Sequence, residues 1–144
     1  MEKPDIEKMK IEKDVDGLIR VLRTSHPLLV DVHMRFNAIS ALAEIKDKRA
    51  VEPLMEAVYG DPDGGCRLRA IWALGEIKDE RAVETLIKRL GDIDAFWRPN
   101  VIFVLGEIGD ARAVEPLKRF LGDRDTRVSS AASEALDKIL KKKV

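Results

Sequence analysis

A thirteen-residue pattern recurs three times along this chain at nearly constant spacing. Its copies occupy residues 42–54, 74–86 and 105–117, so the steps are 32 and 31 residues, and a degenerate fourth copy begins at residue 136. A fixed period of this size is typical of stacked repeats, in which each unit buries its apolar face against the next one. The repeat therefore constrains the fold far more than it constrains the function.

Each repeat is predicted to begin with an amphipathic helix, and the third copy is the clearest. Residues 98–108 carry Val, Ile and Leu at helical spacing, and Pro99 lies in the first turn, where its missing N–H costs nothing. Gly109 suits the left-handed conformation that ends many helices. Asp110 follows as the N-cap of a second helix, and the other two copies also carry Asp at this position.

The second helix of two units contains a proline at an unusual depth. Pro53 and Pro116 lie six residues past the capping aspartates, which is too deep for an ordinary first-turn proline. We expect a tight or kinked turn at the preceding Arg-Ala-Val and regular helix from the following Glu onward. In the third unit this helix is predicted to run through Val114, Leu117 and Leu121, which form an apolar stripe.

The sequence predicts one all-α domain over residues 1–144, a right-handed α-solenoid of about four helix hairpins. Ile39, Ile71 and Ile102 share one column of the first helices, but the last copy has Ser133 there, so its helix is predicted to close the array. The predicted parts are a degenerate N-terminal repeat at 1–34 with a short helix at 4–12, full repeats at 35–63, 67–94 and 98–125, and a C-terminal capping helix at 126–140.

Charge and composition argue against several functional classes. The chain has 26 basic and 26 acidic residues, a formal net charge of zero, which argues against nucleic acid as the main partner. No apolar run approaches the roughly 18 residues that cross a membrane, and the first residues lack the apolar stretch of a secretory signal. Cys66 is the only cysteine, so there is no disulfide framework. We expect a cytoplasmic protein, and its scarcity of Asn and Gln is typical of thermophilic proteins.

The repeated residues resemble a known family. The pattern Ala-Leu-Gly-Glu-Ile-x-Asp-x-Arg-Ala-Val-Glu-Pro-Leu resembles the HEAT-like repeats of the phycobilisome-lyase type, strongly over residues 35–140 and weakly over 14–34. The resemblance implies that first helices form a convex face and that second helices line a concave one. It also leaves the function open, because such repeats serve bilin lyases, a protein hydroxylase and a family of DNA glycosylases.

The metal-binding residues of one enzyme with repeats of this type can be compared directly with this sequence. Deoxyhypusine hydroxylase holds two iron ions with His-Glu pairs near the start of its first helices, and iron needs such imidazole and carboxylate donors. The only histidines of this chain, His26 and His33, have no adjacent Glu. The positions that match the hydroxylase pairs are Phe36-Asn37, Leu68-Arg69, Pro99-Asn100 and Ser130-Ala131. The sequence therefore argues against a metal centre of this kind.

No other catalytic constellation stands out. Cys66 occupies a position of the repeat that is predicted to be buried in the core, so we expect an unreactive thiol rather than a nucleophile. The Asp and Arg residues recur once per repeat, which is typical of helix caps and ion pairs between stacked units rather than of a catalytic group. The sequence thus predicts a protein that is not an enzyme, with no catalytic residue, no metal and no cofactor.

The second repeat departs from the others on the exposed side of its second helix. Elsewhere an acid is predicted to pair with a base four residues later: Asp16 with Arg20, Glu84 with Lys88 and Glu115 with Arg119. Glu52 and Glu56 are instead like-charged, and Tyr59 stands where other copies have glycine. An acidic surface beside apolar side chains suits a basic, partly apolar peptide or protein segment. The candidate partner-binding residues are Ile19, Glu52, Met55, Glu56, Tyr59 and Ile87.

A second candidate patch lies on the first helices. Trp72 and Phe103 occupy a column where the first full repeat has Ser40 and the last copy has Glu134. They either form an exposed aromatic surface for self-association or a partner, or pack against the loop that contains Phe96 and Trp97. Both alternatives stay open at this point.

These observations favour a non-catalytic interaction or scaffold module that binds a protein or peptide through its concave helix face. The first alternative is an enzyme, or a lyase or oxidoreductase subunit, related to bilin lyases or to deoxyhypusine hydroxylase. The second is nucleic-acid binding, which ranks last because acidic residues recur along the predicted groove. No membrane association is expected.

Overall fold

The computed structural model describes residues 3–24, 29–91 and 96–141, and these residues form α-helices and short 3₁₀ turns without a β-strand. The chain divides into two compact units, Met1–Ile77 and Lys78–Val144. Unit 1 contains α1 (Ile6–Ile11), α2 (Val15–Arg23), α3 (Val32–Ile45), α4 (Val51–Gly60) and α5 (Gly64–Ile77). Unit 2 contains α6 (Val83–Arg89), α7 (Arg98–Ile108), α8 (Val114–Lys118) and α9 (Thr126–Lys141).

The predicted turn before each second helix is present in all three full repeats. Asp47, Asp79 and Asp110 each accept a hydrogen bond from the main-chain N–H of the arginine two residues later. Three residues then form a 3₁₀ turn, and the α-helix begins at the following valine. Pro53 is thereby the third residue of α4, where a helix does not need the N–H that proline lacks.

The first helix of each full repeat ends in the left-handed backbone conformation, which the sequence indicates through Gly109 in the third repeat. Gly109 has a φ of 76°, and the equivalent Lys46 and Lys78 have φ values of 59° and 56°. A lysine incurs a steric cost of roughly 1–2 kcal/mol in this region, which glycine avoids. The two lysines therefore show that the geometry of the connection, rather than residue preference, determines this backbone conformation.

Each unit has an apolar core built from the predicted stripes. In unit 1, α3 packs against α2 and α5, and in unit 2, α7 packs against α9. The largest fully buried side chains of unit 1 are Leu18, Ile39, Leu42, Leu54, Ile71 and Leu74, and those of unit 2 are Leu86, Ile102, Leu105, Leu117 and Ile139. Ser133 faces solvent on α9.

The apolar stripe predicted for the second helix of the third repeat extends too far. The second helix of the third repeat, α8, stops at Lys118 and contains only five residues. Leu121 therefore lies beyond it and is 47% exposed, whereas Leu117 is fully buried. The periodicity extended the stripe because Leu121 keeps the helical spacing, but the chain turns before that spacing can place it in the core.

The contrast between these two leucines gives a stability prediction. Leu117→Ala should lower the free energy of unfolding by about 2–5 kcal/mol, because it leaves a cavity in the core. Leu121→Ala should change it by less than about 0.5 kcal/mol, since an exposed side chain fills no cavity. Urea denaturation followed by circular dichroism measures both, and equal losses would contradict the assigned end of α8.

A second prediction concerns the close contact of α7 and α9. A Cβ added at Gly106 would lie 2.8 Å from the Cα and Cβ of Ala135, whereas one added at Gly122 would meet nothing within 4 Å. Gly106→Ala should therefore destabilise the protein by about 1–3 kcal/mol, and Gly122→Ala should be close to neutral. Thermal unfolding of the two variants tests this pair, and an unchanged melting temperature for Gly106→Ala would show that the two helices pack less closely than described.

Candidate functional site

The first candidate surface lies mainly on α2 and α4 of unit 1. Glu52 and Glu56 are exposed, and Ile19 and Tyr59 are half-buried. Met55 requires a correction, because only 6% of it is exposed and its side chain belongs to the core rather than to a contact surface. Ile87 lies on α6 in unit 2, whereas the other members of the predicted set lie on α2 and α4 in unit 1.

One acidic side chain of this surface, Glu56, pairs with an arginine that the sequence pattern did not reveal. The Nε and Nη2 atoms of Arg23 donate to the two carboxylate oxygens of Glu56, at 3.1 and 3.0 Å. This bidentate pair, with a smaller contribution from the charge of Glu52, raises the pKa of Arg23. Both paired side chains remain about half exposed, at 53% and 52%. The pair is thus open to exchange with solvent or with a partner.

A pocket of about 360 Å³ opens beside this ion pair. Leu22, Pro53 and Ala57 supply apolar side chains to its lining, and Arg23 and Glu56 also line it. Its volume lies in the range of pockets that accept small molecules or a protein side chain. The arrangement combines an apolar cavity with a carboxylate and a guanidinium at its side.

The same pocket is also lined by a second, more deeply buried ion pair. Arg35 donates from Nε and Nη2 to the carboxylate of Asp61 at 3.0 and 3.3 Å, and the side chains are 15% and 4% exposed. Asp61 also accepts the main-chain N–H of Asp63 at 2.9 Å. Removal of either partner would leave the other charge buried and unpaired, which is strongly destabilising. We therefore expect this pair to hold the link between α4 and α5 in place.

The single thiol is not a nucleophile in this environment. Cys66 is fully buried on α5, and its Sγ donates weakly to the main-chain oxygen of Val32 at 3.6 Å. Burial, together with the negative charge of Asp61, raises the pKa of the thiol to about 12. Since the thiolate is the reactive form, Cys66 stays protonated and unreactive at neutral pH.

Two acidic residues that recur on the second helices form ion pairs with arginines of the neighbouring repeat. Arg49 lies 3.6 Å from the carboxylate of Asp16, and Arg112 lies 3.5 Å from that of Glu84. The predicted pairs of Asp16 with Arg20 and of Glu84 with Lys88 are therefore wrong within the described residues. The predicted ion pairs between stacked units are present instead.

The third predicted helix pair also has a different partner. Glu115 pairs with Lys118, three residues later, at 2.8 Å rather than with Arg119. The short length of α8 accounts for this, because the helix ends before Arg119 can complete a fourth-residue spacing.

The aromatic side chains of the second candidate patch lie in different units, and both are half-buried. Trp72 is on α5 in unit 1, and Phe103 is on α7 in unit 2. The Nζ of Lys138 lies 4.4 Å from the ring centroid of Phe103 and covers part of its face. Phe96 and Trp97 pack against each other, with their ring centroids 4.8 Å apart.

Metal-ligating side chains do not converge in the part of the chain that the structure describes. No group of three or more His, Cys, Asp and Glu residues in those ranges could hold a metal ion. His33 is exposed on α3, and His26 lies outside the described residues. The helices within the same ranges are also too short or too polar to cross a membrane.

Comparison with known families follows the repeat pattern. Residues 15–100 match the family of HEAT repeats, and residues 100–123 match the PBS lyase HEAT-like repeat. This chain belongs to the HEAT-repeat family. The predicted all-α class built from HEAT-like hairpins is confirmed, as is the resemblance to the PBS lyase type of repeat.

One solved structure is similar to this chain over most of its length. This protein is similar to a chain in the complex of CpcE and CpcF of phycocyanin lyase from Nostoc sp. PCC7120, with 27% sequence identity and a TM-score of 0.70. The match covers 93% of this chain and 56% of that one, so this protein spans little more than half the length of its structural relative. No curated protein matches it.

This similarity corrects one prediction. The expectation that the protein is not an enzyme is wrong, because the repeats match a lyase type and the structural relative belongs to a lyase. The expectation rested on the lack of metal ligands, activated nucleophiles and phosphate loops within one chain. A subunit that acts in an assembly need not carry any of these patterns.

The Asp-x-Arg turns give a pH prediction. The guanidinium of Arg112 holds the pKa of Asp110 below its ordinary value, and the Arg112 main-chain N–H acts in the same direction. The unfolded chain releases this proton at about pH 3.9, so the stabilisation is complete above that pH and is lost as the pH falls through the lower folded-state pKa. Asp110→Asn should therefore lower the stability at pH 7 and make it fall less steeply between about pH 5 and pH 2.

Urea denaturation at several pH values measures this effect. Asp137→Asn, at an exposed carboxylate of α9, is the control and should leave the pH profile of the native protein in place. An Asp110→Asn profile that coincides with that of the native protein would contradict the role of the turn.

Proposed function

We propose that this protein is a partner-binding subunit of a lyase of the phycocyanin-lyase type. The observation that carries the proposal is its similarity, over 93% of its length, to a chain that occurs in the complex of CpcE and CpcF. The HEAT-repeat family supports the same proposal, since stacked repeats present extended surfaces that bind other proteins. We also retain the cytoplasmic location expected from the sequence as part of this proposal.

The proposed contact surface is the exposed side of α2 and α4 together with the neighbouring pocket. Glu52 is exposed and makes no ion pair with any described residue, while Glu56 is held by Arg23. An arginine or lysine of the partner can bind Glu52 directly, and an arginine can replace Arg23 at Glu56 in the same bidentate geometry. Arg23 therefore acts as an internal substitute for the partner's basic residue.

The apolar part of the pocket extends the recognition. Leu22, Pro53 and Ala57 can surround an aliphatic or aromatic side chain adjacent to the partner's basic residue. Ile19 and Tyr59, both half-buried, extend the proposed contact. The preferred segment is thus basic and partly apolar, as the sequence predicts for this surface.

Charge reversal tests the surface. Glu52→Lys should weaken binding of the purified partner subunit by tenfold or more, because it replaces the available carboxylate with a repelling charge. Glu134→Lys on α9 makes the same change at another exposed glutamate and serves as the matched control. Isothermal titration calorimetry measures both affinities, and equal affinities for the two variants would remove α2 and α4 from the interface.

The lyase part of the proposal needs a separate assay. Reconstitution of the pigment-attachment reaction from the purified partner subunit, pigment and acceptor protein should fail when this chain is omitted. Full activity without it would refute the lyase assignment, while a stable complex in the sample that contains this chain would leave the proposed binding in place.

A further inference from the structure

A group of apolar side chains at one edge of unit 2 is unusually exposed. Phe96 is 59% exposed and Leu121 is 47% exposed. Phe96 packs edge to face against Trp97, and Phe120 adjoins Leu121 in the chain. These residues lie in the segments that lead into α7 and out of α8.

Two arginines connect these side chains into one surface. The Cζ of Arg127 lies 5.9 Å from the ring centroid of Phe96, and the Cζ of Arg98 lies 5.9 Å from that of Phe120. Arg98 also donates to the main-chain oxygen of Leu90 at 3.2 Å, which fixes its position. The aromatic–arginine patch consists of Phe96, Trp97, Arg98, Phe120, Leu121 and Arg127.

The repeat itself does not require the phenylalanines of this patch. The position of Phe96 is occupied by Gly65 in the preceding repeat, and that of Phe120 by Arg89. Leu121 corresponds to Leu90, which is only 2% exposed. The third repeat therefore carries large apolar side chains at two positions where the preceding repeat has none, and it exposes Leu121 where the preceding repeat buries Leu90.

The charge around the patch indicates the kind of partner. Arg119 and Arg124 are exposed and have no ion pair among the described residues. Two nearby acids among the described residues are engaged locally: Asp123 accepts the N–H of Asp125, and Asp125 accepts the N–H and guanidinium of Arg127. The surface consequently has positive charge available for an acidic partner.

We propose that the aromatic–arginine patch docks an acidic protein segment that carries an aromatic or aliphatic anchor. Arginine and aromatic residues dominate the binding energy of protein interfaces, and Arg119 and Arg124 attract carboxylates. The exposed aliphatic side chain of Leu121 suits an apolar anchor and therefore favours a protein over a nucleic acid. This surface differs in charge from the acidic one on α2 and α4, so it requires a different segment or a different partner.

Synthetic peptides of defined charge test this proposal directly. The probes are fluorescent twelve-residue peptides with Phe, Trp or Leu between Asp and Glu residues, and matched peptides in which Lys replaces every acid. Fluorescence anisotropy should show binding of acidic peptides alone. Arg124→Glu and Phe96→Ala should each weaken that binding at least tenfold. Leu140→Ala, which removes a side chain of α9 that is also 47% exposed, should leave it unchanged.

Three outcomes would overturn the proposal. They are the absence of binding by every acidic peptide, binding that survives both Arg124→Glu and Phe96→Ala, and preferential binding of a single-stranded oligonucleotide over the peptides. Circular dichroism of each variant confirms that it is folded, and since all three substituted side chains are exposed, we expect no loss of helix. Failure of this test would leave the lyase proposal intact, because the two rest on different surfaces.

Discussion

The carboxylate of each Asp-x-Arg turn makes several interactions on which the repeat depends. In the third repeat, Asp110 accepts the main-chain N–H of Arg112 and so caps the 3₁₀ turn that starts the second helix. It also binds the guanidinium of Arg112, which in turn reaches the carboxylate of Glu84 and the main-chain oxygen of Glu80 in the preceding repeat. One short sequence therefore fixes the entry to a helix and its contact with the neighbouring repeat. The apolar stripes then face one another, and their burial provides most of the stabilisation.

Local features of the fold were predictable because they depend on neighbouring residues. The spacing of Asp47 and Pro53 specified a turn followed by a helix, and Gly109 indicated a left-handed helix end, as the structure has them. The solvent exposure of Leu121 could not be predicted from the periodicity, because it depends on where α8 ends and the chain turns. Met55 likewise kept the spacing of a surface column, but its long apolar side chain is buried.

The candidate site was predictable only in part, since its main interaction joins distant positions. The like charges of Glu52 and Glu56 drew attention to α4, but Arg23 lies 33 residues from Glu56 and its partner could not be read from the sequence. The pocket beside them depends in addition on the approach of α2 and α4. Function was less accessible still, because an assembly can distribute an activity over several chains. The similarity to a lyase chain therefore corrected an expectation that catalytic motifs alone had supported.

The central proposal concerns association: we propose that the protein works bound to a second subunit. Native mass spectrometry of the protein, purified gently from its own cells without chelator, tests this claim. We expect a complex in which the 16.2 kDa chain is joined by one further protein subunit, which dissociates when Glu52 is changed to Lys but persists when Glu134 is changed in the same way. Recovery of the 16.2 kDa chain alone, or of the chain carrying only a small molecule or metal, would contradict the claim.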